Sequence, residues 1–220
     1  MIFDAIVLAG GRSSRLGGVP KALLLLDGET LAGRALDAAL DARRRVIVGD
    51  RDALAGALGA RAVLFARENP PFAGPAAAVA AGLEALEQVT AGGAPPAPAD
   101  FVLVLACDMP WATEAVVALL AAAAAAASAA AAASAFAAPA PADAFVARSP
   151  DGRMQPLAAL YTSTALASAV GSHRAAGDLE NLSIRSLFAG LCTQPVDVPP
   201  GSTDDIDTAA DAERAGIRLA

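Results

Sequence analysis

Histidine occurs once in the 220 residues, at His173, and cysteine twice, at Cys107 and Cys192, far apart in the chain. A disulfide framework needs several cysteines and a structural zinc site needs a Cys/His cluster, so this chain suits neither. With its one histidine remote from the glycine-rich stretch and no G-x-S-x-G elbow, it does not read as a Ser-His hydrolase. Positive charge is also short. Sixteen lysines and arginines stand against 23 acids, a formal net charge of −7. Binding a nucleic-acid backbone takes a basic face, so DNA and RNA are not expected as partners. Aromatics are 4% of a chain that is 55% hydrophobic, so the core is built from Ala, Val and Leu rather than from rings. No basic segment precedes the first apolar run, which leaves no signal peptide to read. The apolar run over residues 115–138 is long enough to weigh as a membrane span. It is mostly alanine, weakly apolar, and reads as a helix that fades into low-complexity sequence. The expectation is one soluble, cytoplasmic domain over residues 1–220. It carries a surface insertion at 91–99 and an alanine-rich tract at 121–138.

What the chain has in unusual density is a glycine-rich cationic loop. Residues 2–8 read as a short buried strand, and Leu8-Ala-Gly-Gly-Arg-Ser-Ser-Arg-Leu-Gly-Gly-Val-Pro-Lys21 follows it. Glycines let the backbone come close to a ligand, and successive free N–H groups form an anion-binding concavity. Arg12, Arg15 and Lys21 add positive charge, and Ser13 and Ser14 add donors. In an acidic protein such a loop reads as a local site for an anionic small molecule, and its parts suit a polyphosphate. The spacing fits neither G-x-x-x-x-G-K-[ST] nor G-x-G-x-x-G, so it is neither a P-loop nor a dinucleotide fingerprint.

Further short apolar strands are expected at 46–48, 62–65, 101–105, 144–147, 156–161 and 195–198. Asp27-Gly28 and Asp151-Gly152 supply tight turns. Helical patterns fall between them. Thr30 caps one that carries Leu31, Ala35, Leu36, Ala39 and Leu40 and ends on Arg43, Arg44 and Arg45. Others cover 52–58, 76–86, 165–170 and 184–191. One begins near Thr113, and Thr208 caps the last, which runs to 214. Strands alternating with helices give parallel βαβ units, and the late Asp-Gly hairpin adds one antiparallel strand. The fold class is α/β, a single three-layer Rossmann-like domain with a mostly parallel mixed sheet.

In such sheets ligands bind beyond the carboxyl ends of the strands. Two loops there carry chemistry: the glycine-rich loop, and Cys107-Asp108-Met109-Pro110 after the strand at 101–105. A carboxylate facing a triphosphate cradle is a Mg²⁺-ligand candidate, since Mg²⁺ takes carboxylate and phosphate oxygens together. An Asp that merely caps the next helix is the other reading of the residues alone. Cys107 reads as a small buried residue at a strand end.

The stretch from Leu8 to Lys21 resembles the signature of nucleotidyltransferases, L-A-G-G-x-S-x-R running on to a glycine and a lysine. Within that superfamily it most resembles the molybdenum cofactor guanylyltransferase family, and the resemblance extends over nearly the whole chain. It implies the nucleotide-diphospho-sugar transferase type of fold and Mg²⁺-dependent transfer of GMP from GTP to the phosphate of a molybdopterin-type substrate. Leu8, Ala9, Gly10, Gly11, Arg12 and Lys21 would then hold the nucleotide. Arg15 and Lys21 would offset phosphate charge, and Asp108 would hold Mg²⁺. Arg67-Glu-Asn69 before Gly74-Pro75 resembles the segment with an acidic residue near the nucleotide. Asn69 is the matching position, with Glu68 beside it. Gly152-Arg-Met-Gln-Pro-Leu157 resembles the acceptor side. Asp205-Ile-Asp-Thr208 resembles a late stretch that adds a second polar group, here Asp207, near the metal. The resemblance also implies transient contact with molybdoenzymes or cofactor-synthesis proteins.

Three other readings stay open: cytidylyl transfer to the same cofactor, guanylyl transfer to a phospho-acid, and nucleotide binding without catalysis. Sister cytidylyltransferases typically read L-A-A-G where this chain reads Leu8-Ala-Gly-Gly11. Gly10 leaves room beside the base, which suits a purine.

Overall fold

The computed structural model describes residues 1–11, 20–88, 97–132 and 141–217. Its first strand, β1 (Phe3–Leu8), is an inner strand of the sheet and buried along all six residues. The strands β2 (Leu25–Leu26) and β3 (Glu29–Thr30) form a small hairpin of their own. The main sheet adds β4 (Arg45–Val48), β5 (Leu64–Ala66) and β6 (Phe101–Ala106) to β1. It then adds β7 (Ala144–Arg148), β8 (Met154–Thr162) and β9 (Thr193–Asp197). Their spatial order is β5-β4-β1-β6-β8-β7-β9. β8 alone runs antiparallel to its two neighbours, and the other pairings are parallel. This is the late antiparallel strand expected from the Asp151-Gly152 turn, where the Gly152 N–H donates to the Ser149 carbonyl at 2.8 Å.

Helices cover both faces, which is why the inner strands read as unbroken apolar runs. Phe3, Ala5 and Val7 face one core with α1 (Leu31–Ala38), α2 (Arg51–Leu58) and α4 (Thr113–Ala132). Ile6 and Leu8 face the other with α3 (Pro75–Gln88), α5 (Ser163–Ala176) and α6 (Ile184–Leu187). Thr30 caps α1 by accepting from the Gly33 N–H at 3.0 Å. Asp27 and Gly28, both at positive φ (54° and 83°), make the turn between β2 and β3.

Three expectations change. α1 ends at Ala38, before Leu40, which is 64% exposed and not on the apolar face. Arg43 and Arg44 therefore do not end a helix, and Arg45 opens β4. Both reach Asp4 on β1 instead: Arg43 through Nε to Oδ1 at 3.0 Å and Nη2 to Oδ2 at 2.8 Å, and Arg44 through Nη2 to Oδ2 at 2.5 Å. An acid inside a buried strand needs such partners, because an unpaired buried charge is costly. The third change is α6, which stops at Leu187 rather than 191.

The alanine tract is helical as far as Ala132, and residues 133–138 lie outside the described part. Only the start of α4 packs on the sheet, through Ala115, Val116, Leu119 and Ala123. By length and composition α4 would suffice to cross a membrane, with 22% of it buried inside the protein. Most of the 91–99 insertion also lies outside the described residues. At its end Ala99 is buried, and the Ala97 carbonyl accepts from Arg43 Nη1 at 2.9 Å.

Candidate active site

β1 and β6 are paired in step, Leu8 beside Ala106, so their carboxyl ends finish level. The Cys107 N–H continues the ladder onto the Leu8 carbonyl at 3.0 Å, and the Ala9 N–H reaches the Val48 carbonyl at 2.8 Å. This pairing places the start of the glycine-rich loop directly against Asp108. A cleft of 350 Å³ opens there, lined among others by Gly10, Gly11, Lys21, Glu68, Phe72 and Asp108. Gly11 has φ +141°, and among the described residues nothing lies within 4 Å of where a Cβ would stand. Arg12 and Arg15 lie outside the described residues.

Lys21 opens a single 3-10 turn, Lys21–Leu23, and its ammonium lies between two carboxylates. It donates to Asp108 Oδ2 at 3.3 Å and to Asp207 Oδ1. Burial works against the ammonium. The hydrogen bond to Asp207 and the negative charge of both acids outweigh that and hold Lys21 above its ordinary range. Asp108 moves the other way from most paired acids. Burial raises it, with Asp207 and Asp205 adding to the rise, and Lys21 offsets them only in part. Among the described residues, Asp108, Asp207 and Asp205 act on one another there and Lys21 is the cation that offsets them.

Asp207 is far away in sequence, and the local chain explains its position. The Ile206 N–H donates to the Asp108 carbonyl at 2.9 Å, and the Ile206 side chain is buried. Thr208 then starts α7 (Ala209–Arg214) with a capping box, in which Asp211 accepts from the Thr208 N–H at 2.7 Å and the Asp207 N–H at 3.2 Å. The neighbouring Cys107 is buried, and burial pushes its thiol well above the usual range, so it is no nucleophile.

Two carboxylates converging on one cation form a hard-oxygen site. Among the described residues no group of three or more His, Cys, Asp or Glu completes an all-protein cage. That donor set suits Mg²⁺, which keeps waters and substrate phosphates as its other ligands.

Glu68 lines the cleft and Asn69 does not: Asn69 is exposed and faces a different depression beside Arg174 and Glu180. Glu68 is 9% exposed. Its Oε1 accepts from the Phe72 N–H at 3.0 Å, and its Oε2 is buried with no hydrogen-bond partner among the described residues. A Cβ added at Gly10 would meet that Oε1 at 3.6 Å, an ordinary contact. The identity of Glu68, an acid placed two residues after β5, was the available signal for it. On β8, Leu157 lines the same cleft. Gln155 is buried and faces a second depression of 370 Å³ with Arg153, Thr203, Asp205 and Arg214.

The profile of the MobA-like NTP transferase domain matches residues 5–194. A relative from Burkholderia orbicola (strain MC0-3), named molybdenum cofactor guanylyltransferase, is 37% identical over 193 residues, covering 84% of this chain and 80% of its own. Among solved structures, molybdopterin-guanine dinucleotide biosynthesis protein A from Archaeoglobus fulgidus aligns with a TM-score of 0.64 at 20% identity, covering 96% of each chain. Rv0371C from Mycobacterium tuberculosis, solved in complex with manganese, aligns with a TM-score of 0.61 at 17% identity, covering 98% of each chain. These structural likenesses speak for the fold. The chain belongs to the MobA-like NTP transferase domain family and is a nucleotidyltransferase of molybdenum cofactor biosynthesis.

Proposed function

We propose that this protein transfers GMP from GTP to the terminal phosphate of a molybdopterin-type acceptor, giving a guanine dinucleotide and pyrophosphate, as a soluble enzyme of the cytoplasm. The observation that carries the reading is the meeting of Asp108, Asp207 and Lys21 beside the glycine backbone where β1 and β6 end. An acceptor phosphate oxygen forms a bond to the α-phosphorus of GTP while the bond from that phosphorus to the bridging oxygen breaks, and pyrophosphate leaves with the electron pair. Such transfers depend on positioning and charge neutralisation more than on covalent help.

The backbone of residues 8–11, with Arg12, cradles the triphosphate. Lys21 and Arg15 offset its charge. Asp108 and Asp207 would hold Mg²⁺, which when bound neutralises charge on the phosphates. Glu68 supports guanine as the base. Its carboxylate lines the cleft beside Gly10, and guanine offers an N1–H and an exocyclic N–H on one edge. The second depression, with Arg153 and Gln155, suits the acceptor, since β8 joins it to the cleft through Leu157.

The test is pyrophosphate release from GTP and Mg²⁺ with and without the pterin phosphate, with the product identified by mass. Release that needs the acceptor and yields its guanine dinucleotide supports the reading. Release that ignores the acceptor, or occurs only with a phospho-acid, overturns the assignment of the acceptor.

A further inference from the structure

Gln155 is the polar side chain that the fold itself explains least. It stands on an inner strand of the sheet, is 8% exposed, and lines the depression of 370 Å³ beside Thr203 and Asp205. A primary amide carries two donors and an acceptor, and burying them without partners is costly. Among the described residues no side-chain hydrogen bond meets the Gln155 amide, and neither of its polar atoms is sealed from the surface, as Glu68 Oε2 and Ser163 Oγ are. The amide is thus held in place by burial while its polar end keeps contact with the depression.

The local chain explains its aim. β8 runs antiparallel to β6, so its first residues lie at the carboxyl edge of the parallel strands, where ligands bind. The register between β7 and β8 shifts here: Val146 pairs with Ala159, but Ala147 pairs with Gln155. Residues 156–158 bulge out of that ladder, and a bulge re-aims the side chains around it. Leu157 lines the cleft and Gln155 the second depression.

Charge decides which end of a ligand fits there. Among the described residues, Asp151, Asp204, Asp205 and Asp211 line the depression against Arg153 and Arg214, and Arg214 is already paired with Asp211. Surplus acid repels phosphate and suits a neutral group that bears N–H donors. Asp205 also lies close enough for its charge to raise the Asp108 carboxyl, so a ligand seated here is a neighbour of the Asp108 and Asp207 pair.

We infer that the Gln155 amide is the specificity-determining contact for the acceptor, pairing its own donor and acceptor with the N–H and C=O that stand side by side on the pterin ring. Seated so, the ring lies in the depression and the phosphate extends past Leu157 into the cleft. An amide reads such an edge with two hydrogen bonds at once, which gives selectivity as well as affinity. Guanine carries the same edge, but the glycine backbone that suits a triphosphate lines the cleft and not this depression. The inference rests on the acceptor reading proposed above.

The experiment measures KM for GTP and for the pterin phosphate in wild type and in Gln155→Leu, which is close in volume. Two phosphate-free rings, pterin and N3-methylpterin, are titrated in both proteins as inhibitors competitive with the acceptor. The methyl group removes the N–H from the edge. Wild type is expected to bind pterin at least about tenfold more tightly than N3-methylpterin. Gln155→Leu is expected to raise the acceptor KM and the pterin Ki by about tenfold, to change kcat far less, and to bind the two rings alike. Its KM for GTP should stay within about twofold of wild type. An unchanged acceptor KM in folded Gln155→Leu overturns the inference and leaves the acceptor reading standing. A raised KM for GTP in its place also overturns it, because the edge read is then that of guanine. Should the variant not fold, equal affinity of wild type for the two rings overturns the inference by itself. A wild-type protein that binds pterin as expected but prefers CTP sinks the guanylyl reading alone. One that neither binds pterin nor uses its phosphate sinks the acceptor reading and this inference with it.

Discussion

Asp4 and Asp108 belong to neighbouring strands, one near the start of β1 and one just past the end of β6, and their charge environments are mirror images. Asp4 is 2% exposed and is gripped by two guanidiniums, Arg43 and Arg44. Burial alone would raise its carboxyl, but the hydrogen bonds and charges of both arginines hold it below its ordinary range. Asp108 shares one ammonium with Asp207 and is held above its ordinary range, by burial first. One cluster is an acid with surplus cation, closed by the fold. The other, among the described residues, is a cation with surplus acid, open to a cleft. Surplus acid facing an open cleft stabilises little by itself and calls for a further cation. The same residue type thus closes a buried ion cluster at one end and lines an open cleft at the other.

Replacing each acid should separate the two roles. Asp108→Asn should lower kcat by roughly a thousandfold, because it removes charge that would hold Mg²⁺ against phosphate. Its thermal midpoint should stay close to wild type, since the neutral amide escapes the burial penalty. Pyrophosphate release and a thermal melt on the same preparation check both halves, and normal turnover with Mg²⁺ would remove Asp108 from the site. Asp4→Ala should do the reverse. It strands two partly buried guanidiniums and should cost about 3 kcal/mol, a fall in midpoint of roughly 10 °C, while the folded fraction keeps its kcat.

The pH dependence of stability follows from the same pair. The depressed Asp4 carboxyl stabilises the fold fully above its unfolded value, about 3.9. That contribution is lost as pH falls through the lower folded value. Wild type should therefore lose stability more steeply than Asp4→Ala below about pH 4, as urea titrations at successive pH values would show. Parallel curves would mean that Asp4 is not held low.

These contrasts were unevenly legible in the sequence. The apolar runs of β1 and β6 were clear because both faces of an inner strand are buried, and Thr30 and Thr208 announced their helices by capping chemistry. Arg43 and Arg44 were misread because a run of cations after a helical pattern suits a C-terminus. Nothing local reveals that Asp4, 39 residues before Arg43, needs them. The approach of Asp207 to Lys21 spans 186 residues and rests on Ile206 docking on Asp108, so residue spacing could not give it. Between Glu68 and Asn69 the choice depended on which neighbour turns toward the cleft as the chain leaves β5, which a one-residue difference reverses.

The smallest effect is expected far from both clusters. α4 beyond Ala123 is largely exposed, and its one polar side chain, Ser128, donates to the Ala124 carbonyl of the helix itself. Shortening it within residues 124–132 should change kcat/KM by less than about twofold, a few tenths of a kcal/mol, in the same release assay. A large loss in a folded deletion would show that the tract shapes the site.

The choice of nucleotide decides between guanylyl and cytidylyl transfer at the cleft where β1 and β6 end. With saturating pterin phosphate and Mg²⁺, kcat/KM for GTP should exceed that for CTP by at least about tenfold, a difference of roughly 1.4 kcal/mol. Gly10→Ala should erode that preference, since its Cβ would stand against Glu68 beside the base. Equal use of the two nucleotides, or a preference for CTP, would contradict the account.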